Sequence, residues 1–323
     1  MKEEHKLTLA DLREKQSWTL AHKIDHSLSV IEAFLAHTNR QAYVSFSGGK
    51  DSTILLQLAR IVKPDIKAVF CNTGVEFPDI VKFVRKQENV EIIRPEKNFQ
   101  QVVEEFGFPL VSKTHSDIIY KSKHNRGGKV YHNYFLGEKK SMYNTPKYAK
   151  YLIDEPYDIC GMCCQILKKD PAKKYLERTG LLPMTGELAD ESLNRATQWV
   201  RAGGCNAFKT NNLGAVGGGK SKPLTIWTEK DIWDYININN LPISDIYYKG
   251  ATRTGCAGCA FGAHLEKQSM CRYKLLYDLY PNFYKYFMNV TNNGVTYREA
   301  IRTLFNKTNK GRYLPDEKPL ALF

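Results

Sequence analysis

Ala42-Tyr-Val-Ser-Phe-Ser47-Gly-Gly-Lys50-Asp-Ser52-Thr-Ile-Leu-Leu-Gln-Leu-Ala-Arg60 is the stretch that decides the fold class of this 323-residue chain. Residues 42–46 are a short apolar run of strand type, 52–60 carry helical spacing, and Ser-Gly-Gly between them marks a turn. Glycines there let backbone N–H groups face a phosphate, and the N-terminus of the following helix adds a favourable dipole. The plainer alternative is an ordinary strand-to-helix turn. The stretch is not a Walker A loop, which needs glycine where Val44 stands and Ser or Thr where Asp51 stands. Lys50 can neutralise phosphate charge, and Asp51 can hold magnesium if the ligand is a triphosphate.

The same alternation continues outward. Residues 67–70 read as a strand, 78–87 as a helix opened by Pro78, and 90–93 as a third strand. Further on come a helix at 171–179, a strand at 182–185 and a helix after Thr228, with Thr228 as N-cap and Asp231 at its third position. Strands alternating with helices predict an α/β fold with a doubly wound, mainly parallel sheet flanked by helices. Ahead of it, Leu9, Leu12, Leu20, Ile24, Leu28, Ile31 and Leu35 predict one or two amphipathic helices, and residues beyond Cys271 read as helical to about Phe305. The expected organisation is an N-terminal helical segment (1–40), a nucleotide-binding α/β domain (41–270) with an inserted basic loop (120–151), and a helical C-terminal extension (271–323). Gly214–Gly219 reads as a flexible stretch.

Charge and cysteine usage narrow the class. The first twenty residues lack an apolar signal core, and charges interrupt every hydrophobic run, so the expectation is a cytoplasmic protein with no membrane span. A net charge of +13 favours polyanionic partners such as nucleotides or nucleic acid, against the plain alternative of a solvated basic surface. In the insert, Lys121, Lys123, Arg126, Lys129, Lys139, Lys140, Lys147 and Lys150 interleave with Tyr120, Tyr131, Tyr134, Phe135, Tyr143, Tyr148 and Tyr151. That pattern suits nucleic acid, with lysines on phosphates and rings on bases; the alternative is a surface loop whose rings pack inward. The eight cysteines cluster around 160–164 and 256–259, which in a reducing compartment reads as metal or cluster ligation rather than a disulfide framework.

The 47–52 loop resembles the PP-loop of the adenine nucleotide α-hydrolase superfamily. Four further stretches resemble the phosphoadenosine phosphosulfate (PAPS) reductase family within it: Asn72-Thr-Gly-Val-Glu-Phe-Pro78, Cys163-Cys-Gln-Ile-Leu-Lys168-Lys-Asp-Pro171, Thr185-Gly186 with Asp190-Glu-Ser192 and Arg195, and Lys222-Pro-Leu-Thr-Ile-Trp-Thr-Glu-Lys-Asp-Ile-Trp233 followed by Leu241-Pro and Gly255-Cys-Ala-Gly-Cys259. The resemblance implies nucleotide binding by Ser45, Ser47, Gly48, Gly49, Lys50, Asp51, Ser52, Asn72, Thr73, Gly74, Phe77, Gly186, Asp190 and Ser192, with Lys50, Asp51 and Arg195 in catalytic roles. It also implies a 4Fe-4S cluster beside the nucleotide on Cys163, Cys164, Cys256 and Cys259. Four thiolates beside Lys168 and Lys169 suit a cluster; pairing Cys160-x-x-Cys163 with Cys256-x-x-Cys259 as a zinc site is the rival reading. Cys205 is a further candidate ligand or reactive thiol, while Cys71 and Cys271 read as core residues. His264 is weighed as a proton relay against a purely structural histidine.

Two departures separate the chain from sulfonucleotide reductases. It has no cysteine after Cys271, so the family's C-terminal Glu-Cys-Gly-x-His nucleophile is missing, and Gly186-Glu-Leu-Ala-Asp190 replaces a segment where the family carries arginines. Ala189–Ser192, Gly204–Phe208 and Phe261–Lys267 look closer still to reductase-like proteins of phages and mobile elements. The leading expectation is an enzyme that cleaves ATP, with magnesium, to AMP and pyrophosphate and drives sulfur transfer to nucleic acid, served by a sulfur-donor or thiol-reductant protein. The alternatives are a PAPS or adenosine phosphosulfate (APS) reductase using another thiol, and a non-catalytic nucleotide- or nucleic-acid-binding module.

Overall fold

The structure is a computed structural model that describes residues 6–208, 219–267, 271–308 and 312–316; of the glycine-rich stretch read as flexible, 214–218 lie outside the described residues. The chain forms two compact units, neither of which is a single segment. The first comprises the residues up to Asn72, Pro78–Ile93 and Ala172–Lys249, and the second comprises Thr73–Phe77, Arg94–Pro171 and the residues from Gly250 onward. No helix among the described residues is long and apolar enough to cross a membrane.

The first unit is built on a six-stranded sheet of β1 (Ala42–Ser45), β2 (Ala68–Cys71), β3 (Val90–Ile93), β4 (Leu182–Thr185), β5 (Asn206–Ala207) and β6 (Lys220–Ser221), in the order β3-β2-β1-β4-β6-β5. Every pairing is parallel except that of β5 with β6. The first three strands therefore run toward one edge and β4 starts a second half on the other side of β1. The ends of β1 and β4 form the switch point where open α/β sheets bind ligands. Ser45 and Thr185, the last residues of those strands, lie side by side in register.

Helices α1 (Leu9–Gln16) and α2 (Leu20–His37) fulfil the helical periodicity read before the sheet; Leu12, Ile31, Phe34 and Leu35 are buried. Their polar anchors are long-range. Buried Lys23 reaches Asp231 at 2.6 Å, and Asp231 also completes the capping box of Thr228. Helix α3 (Lys50–Val62) packs Ile54, Leu55, Leu58 and Ala59 inward, and α4 (Pro78–Arg85) starts at the proline the sequence marks. The sheet's two edges carry opposite protections. β3 bears Glu91 in ion pairs with Lys67 and Arg178, and the far edge is the two-residue β5, too short to template pairing.

The second unit is mostly helical and aromatic. Phe108 stacks on Tyr297 with centroids 5.2 Å apart, and Phe99 meets Phe287 edge-on at 5.2 Å. The backbone of Phe108 bonds to Asp158 and Cys160 at 2.8 and 3.0 Å, which anchors the chain entering the first cysteine group. Helices Arg272–Leu279, Pro281–Asn289 and Tyr297–Lys307, with a hairpin of β7 (Thr291–Asn292) and β8 (Val295–Thr296), form the C-terminal part. The insert is not the plain loop that its composition suggests. It continues the helix Lys113–His124, then forms helical turns at Tyr131–Leu136 and Lys147–Ile153, because Phe135, Ala149, Leu152 and Ile153 bury apolar side chains.

Candidate nucleotide and cysteine sites

Gly48 sits at φ +72°, with its α-carbon face against Ile80 and Val84 of α4, so a side chain there would be strained and crowded. Gly49 then caps α3 with no side-chain bond. Ser52 Oγ donates to the Gly49 carbonyl at 2.9 Å and lies 3.0 Å from Ser47 Oγ, which ties the loop into one turn. The Lys50 backbone N–H donates to Tyr247 Oη at 2.9 Å.

The Lys50 ammonium is buried and lies 3.0 Å from both Asp51 and Glu229. Burial alone would lower it, but the two carboxylates outweigh that and hold it above an ordinary lysine. Burial pushes the Asp51 carboxyl up, and Glu229 adds to that push, so Lys50 only partly offsets it. Two acids thus share one ammonium at the N-terminus of α3, an arrangement with negative charge left over for a cation. Glu229 is held by Trp233 Nε1 at 3.1 Å. Its backbone N–H faces Asp190 at 3.4 Å. Glu229, Trp233 and Tyr247 carry no site signal of their own in the sequence; the capping pattern at Thr228 marks only that Glu229 starts a helix.

Gly186 follows β4 and approaches the start of α3 so closely that an added side-chain carbon would stand 2.9 Å from the Asp51 carbonyl. The next residue, Glu187, receives Lys220 at 2.5 Å and Lys222 at 2.8 Å, and Lys222 also bonds Gln198 at 3.0 Å. Burial would raise the Glu187 carboxyl, but facing two ammoniums it falls to about 2. Burial holds Lys222 below an ordinary lysine, because it faces one carboxylate and a like-charged neighbour. Ser192 caps the helix Leu193–Ala202 through the Arg195 N–H at 3.3 Å, and the Arg195 guanidinium is engaged by Glu191.

A depressed carboxylate stabilises the fold above its unfolded pKa and loses that contribution as pH falls through the folded one. For Glu187 the window runs from about pH 4.5 down to about 2. Glu187→Gln is expected to remove on the order of 2–3 kcal/mol of acid-dependent stability. Acid denaturation followed by circular dichroism should show a flattened limb in that window; an unchanged limb would show that the two lysines do not hold this carboxylate.

In the second unit, Cys163 and Cys164 lie in a short helix, Met162–Cys164, that continues as the π turn Gln165–Lys169. Cys163 hydrogen-bonds Cys164, and the charges of Cys256 and Cys259 act on Cys163. Lys168 is held well above an ordinary lysine, first by the charge of Cys256, to which it is also hydrogen-bonded. The Cys163 bond holds the Cys164 thiol down at about 6, with Lys113, Lys168 and Lys169 contributing. Burial raises Cys259 to about 12. Among the described residues no group of three or more His, Cys, Asp or Glu is arranged to hold a metal ion. The donor set nevertheless suits a thiolate-ligated group in its chemistry: four interacting thiols with a lysine bonded to one of them.

The segment after β2 joins this site. Thr73 donates its N–H to Glu76 at 3.0 Å and its hydroxyl at 2.6 Å, while the Val75 carbonyl accepts the Ala257 N–H at 2.8 Å. Phe77 packs near Tyr280, and Glu76 acts electrostatically on Lys168 and Cys256. Sequence reading assigned Glu76 no role. Asn72 belongs to the first unit, where its N–H meets the Ile93 carbonyl at 2.9 Å.

Cys160 is buried, with Asp117, Asp158 and the main chain at Gly161 and Met162 acting on its thiol, which burial pushes up. Cys205 belongs to the first unit, 3.9 Å from His26, and burial raises its thiol to about 11, the inert neutral form. Cys271 is buried and Cys71 half-buried. His264 is buried with Nε2 2.8 Å from Tyr148 Oη.

Comparison with known proteins agrees with this arrangement of motifs. The phosphoadenosine phosphosulfate reductase domain matches residues 41–134 and 135–261. An uncharacterised protein of Methanocaldococcus jannaschii is 25% identical over 274 residues, covering 82% of this chain and 51% of that protein. A second from the same organism is 28% identical over 67% of this chain and 35% of its own length. The chain thus spans about half and about a third of the length of these two curated relatives. The adenosine 5'-phosphosulfate reductase of Geobacillus kaustophilus is 22% identical over 76% of this chain and 84% of its own length. Among solved structures, phosphoadenylyl-sulfate reductase from Candida auris aligns with 74% of this chain and 96% of that chain, at 16% identity and a TM-score of 0.40.

Proposed function

This chain belongs to the phosphoadenosine phosphosulfate reductase family, and we propose that within it the chain activates an acceptor with ATP and transfers sulfur to it. The observation that carries this reading is the Lys50, Asp51 and Glu229 arrangement at the start of α3, where two carboxylates face one ammonium. A triphosphate brings magnesium, and Asp51 and Glu229 would hold it, while Lys50 and the N–H groups of the loop take the phosphates. In the proposed reaction an acceptor oxygen attacks the α-phosphorus, the α–β bond breaks, and pyrophosphate leaves. Hydrosulfide from a donor then displaces AMP. Catalysis here is positioning and charge neutralisation. A 4Fe-4S cluster would be held by Cys163, Cys164, Cys256 and Cys259 and would supply sulfur and electron chemistry. The acceptor class we favour is nucleic acid.

The second reading is reduction of a sulfonucleotide, supported by the curated APS reductases among the relatives. The segment Gly186-Glu-Leu-Ala-Asp190, in which Leu188 and Ala189 stand where the family carries arginines, weighs against it. The test is incubation with ATP, magnesium, a nucleic-acid acceptor and sulfide. The expected result is pyrophosphate and AMP in equal amounts, formed only with the metal present. Sulfite release from APS or PAPS with reduced thioredoxin, and no pyrophosphate, would overturn the first reading in favour of the second. Neither product would leave a nucleotide-binding module.

A further inference from the structure

The insert concentrates the chain's charge: residues 120–151 hold eight Lys and Arg against a single acid, Glu138. The structure divides these cations into two kinds. Lys123 is consumed by Asp158 and two carbonyls, Arg126 by Asp154, and Lys150 by the Leu136 carbonyl. Lys121, Lys129, Lys139, Lys140 and Lys147 are exposed and form no ion pair among the described residues. The one acid is itself engaged, with His132 at 2.8 Å.

The tip that carries Lys139 and Lys140 is a closed loop rather than a floppy excursion. Gly137 reverses the chain in the left-handed region, Asn144 Nδ2 donates to the Lys139 carbonyl at 2.9 Å, and the Thr145 N–H returns to the Tyr134 carbonyl at 2.8 Å. Buried Phe135 and Thr145 anchor its base. The same few residues expose Met142 at 78%, the most exposed large apolar side chain among the described residues, and Tyr143 at 48%. A solvated basic face needs lysines alone; it gains nothing from a ring and thioether set among them, whose exposure to water is unfavourable.

We infer that this tip, Lys139 to Tyr143 with Lys129 and Lys147, is a binding surface for single-stranded nucleic acid. The unpaired ammoniums meet phosphates and release counterions, while Tyr143 offers a π-face to a base that is not paired in a duplex. An acidic polypeptide would use the charges and leave the ring idle, so the ring decides between the two. The inference names a site for the acceptor class in the proposed reaction, but it concerns binding alone and stands or falls without ATP.

The test is fluorescence anisotropy of a labelled single-stranded 20-mer (about 20 nucleotides, longer than one site) with the full chain, without nucleotide, over a salt series. Lys139→Glu/Lys140→Glu is expected to weaken binding and to reduce the slope of log K against log salt by about 1.4, the share of two phosphate contacts at about 0.7 each. Lys267→Glu/Lys285→Glu, an equal charge change at exposed lysines elsewhere, should leave most of the affinity. Tyr143→Ala should weaken the single strand about tenfold and leave poly-glutamate unchanged. Equal loss in both charge-reversed variants would reduce the effect to net charge and overturn the inference. So would equal affinity for duplex or poly-glutamate, or no effect of Tyr143→Ala. Failure here with pyrophosphate release intact would remove this surface and leave the nucleotide reaction standing.

Discussion

Lys50→Met is expected to lower kcat/KM for pyrophosphate release at least about a hundredfold, the scale seen when one preorganised charge donor is removed from developing phosphate charge. The geometry argues for so large an effect because no other cation is within ion-pairing distance of Asp51 or Glu229 among the described residues; each is paired only with Lys50. Removing the ammonium leaves two carboxylates repelling an incoming polyphosphate, the reverse of what the loop's N–H groups offer. The fold should survive. Glu229 is half exposed and water can solvate it, so a stability loss of about 1–2 kcal/mol is expected, below the cost of stranding a fully buried charge. Thermal unfolding by circular dichroism separates the two effects. Lys50→Arg keeps the charge but brings a planar fork into a site shaped for a compact ammonium, and it should recover only part of the rate. A folded Lys50→Met protein with wild-type turnover would remove the loop from the chemistry.

Anaerobic purification of the wild-type chain is expected to give about four irons and matching sulfide per chain with a broad absorption at the blue end of the visible range. Cys256→Ser/Cys259→Ser should abolish all three signals, because a serine hydroxyl does not ionise near neutrality and is a hard ligand where a soft thiolate is required. Single variants separate the two possible ligand sets. Cys164→Ser should release an iron–sulfur cluster yet spare a zinc site made of Cys160, Cys163, Cys256 and Cys259, and Cys160→Ser should do the opposite. The interactions point to the first set: Cys164 bonds Cys163 and is surrounded by the charges of Lys113, Lys168 and Lys169, whereas Cys160 is buried among main-chain groups and acids. About one zinc per chain, insensitive to Cys164→Ser, would sink the cluster and with it the sulfur chemistry built on it.

The local elements were legible because their signals are local. The strand at 42–45, the loop, the helix that follows, the proline start of α4 and the Thr228 capping box all rest on residues a few positions apart. The insert was harder. Its polar and charged composition hides apolar anchors such as Phe135 and Ala149, whose value depends on what they meet rather than on their spacing. Strands β5 and β6 escaped for a related reason: two-residue strands have no periodicity to detect, and the sheet they join supplies their pairing.

By itself, then, the sequence determined the α/β class, the strand, turn and helix around 47–52 and the grouping of cysteines, since each is a matter of short-range backbone geometry or residue chemistry. Only the tertiary structure decided that Glu229 and Tyr247 come to Lys50, that Glu187 is shared by Lys220 and Lys222, that Glu76 joins the cysteine site, and that Cys205 is closed off as a neutral thiol. Those contacts link residues far apart in the chain or hidden by their neighbours. Electrostatic partnership falls off over a few ångströms of space, a distance that separation along the chain does not encode.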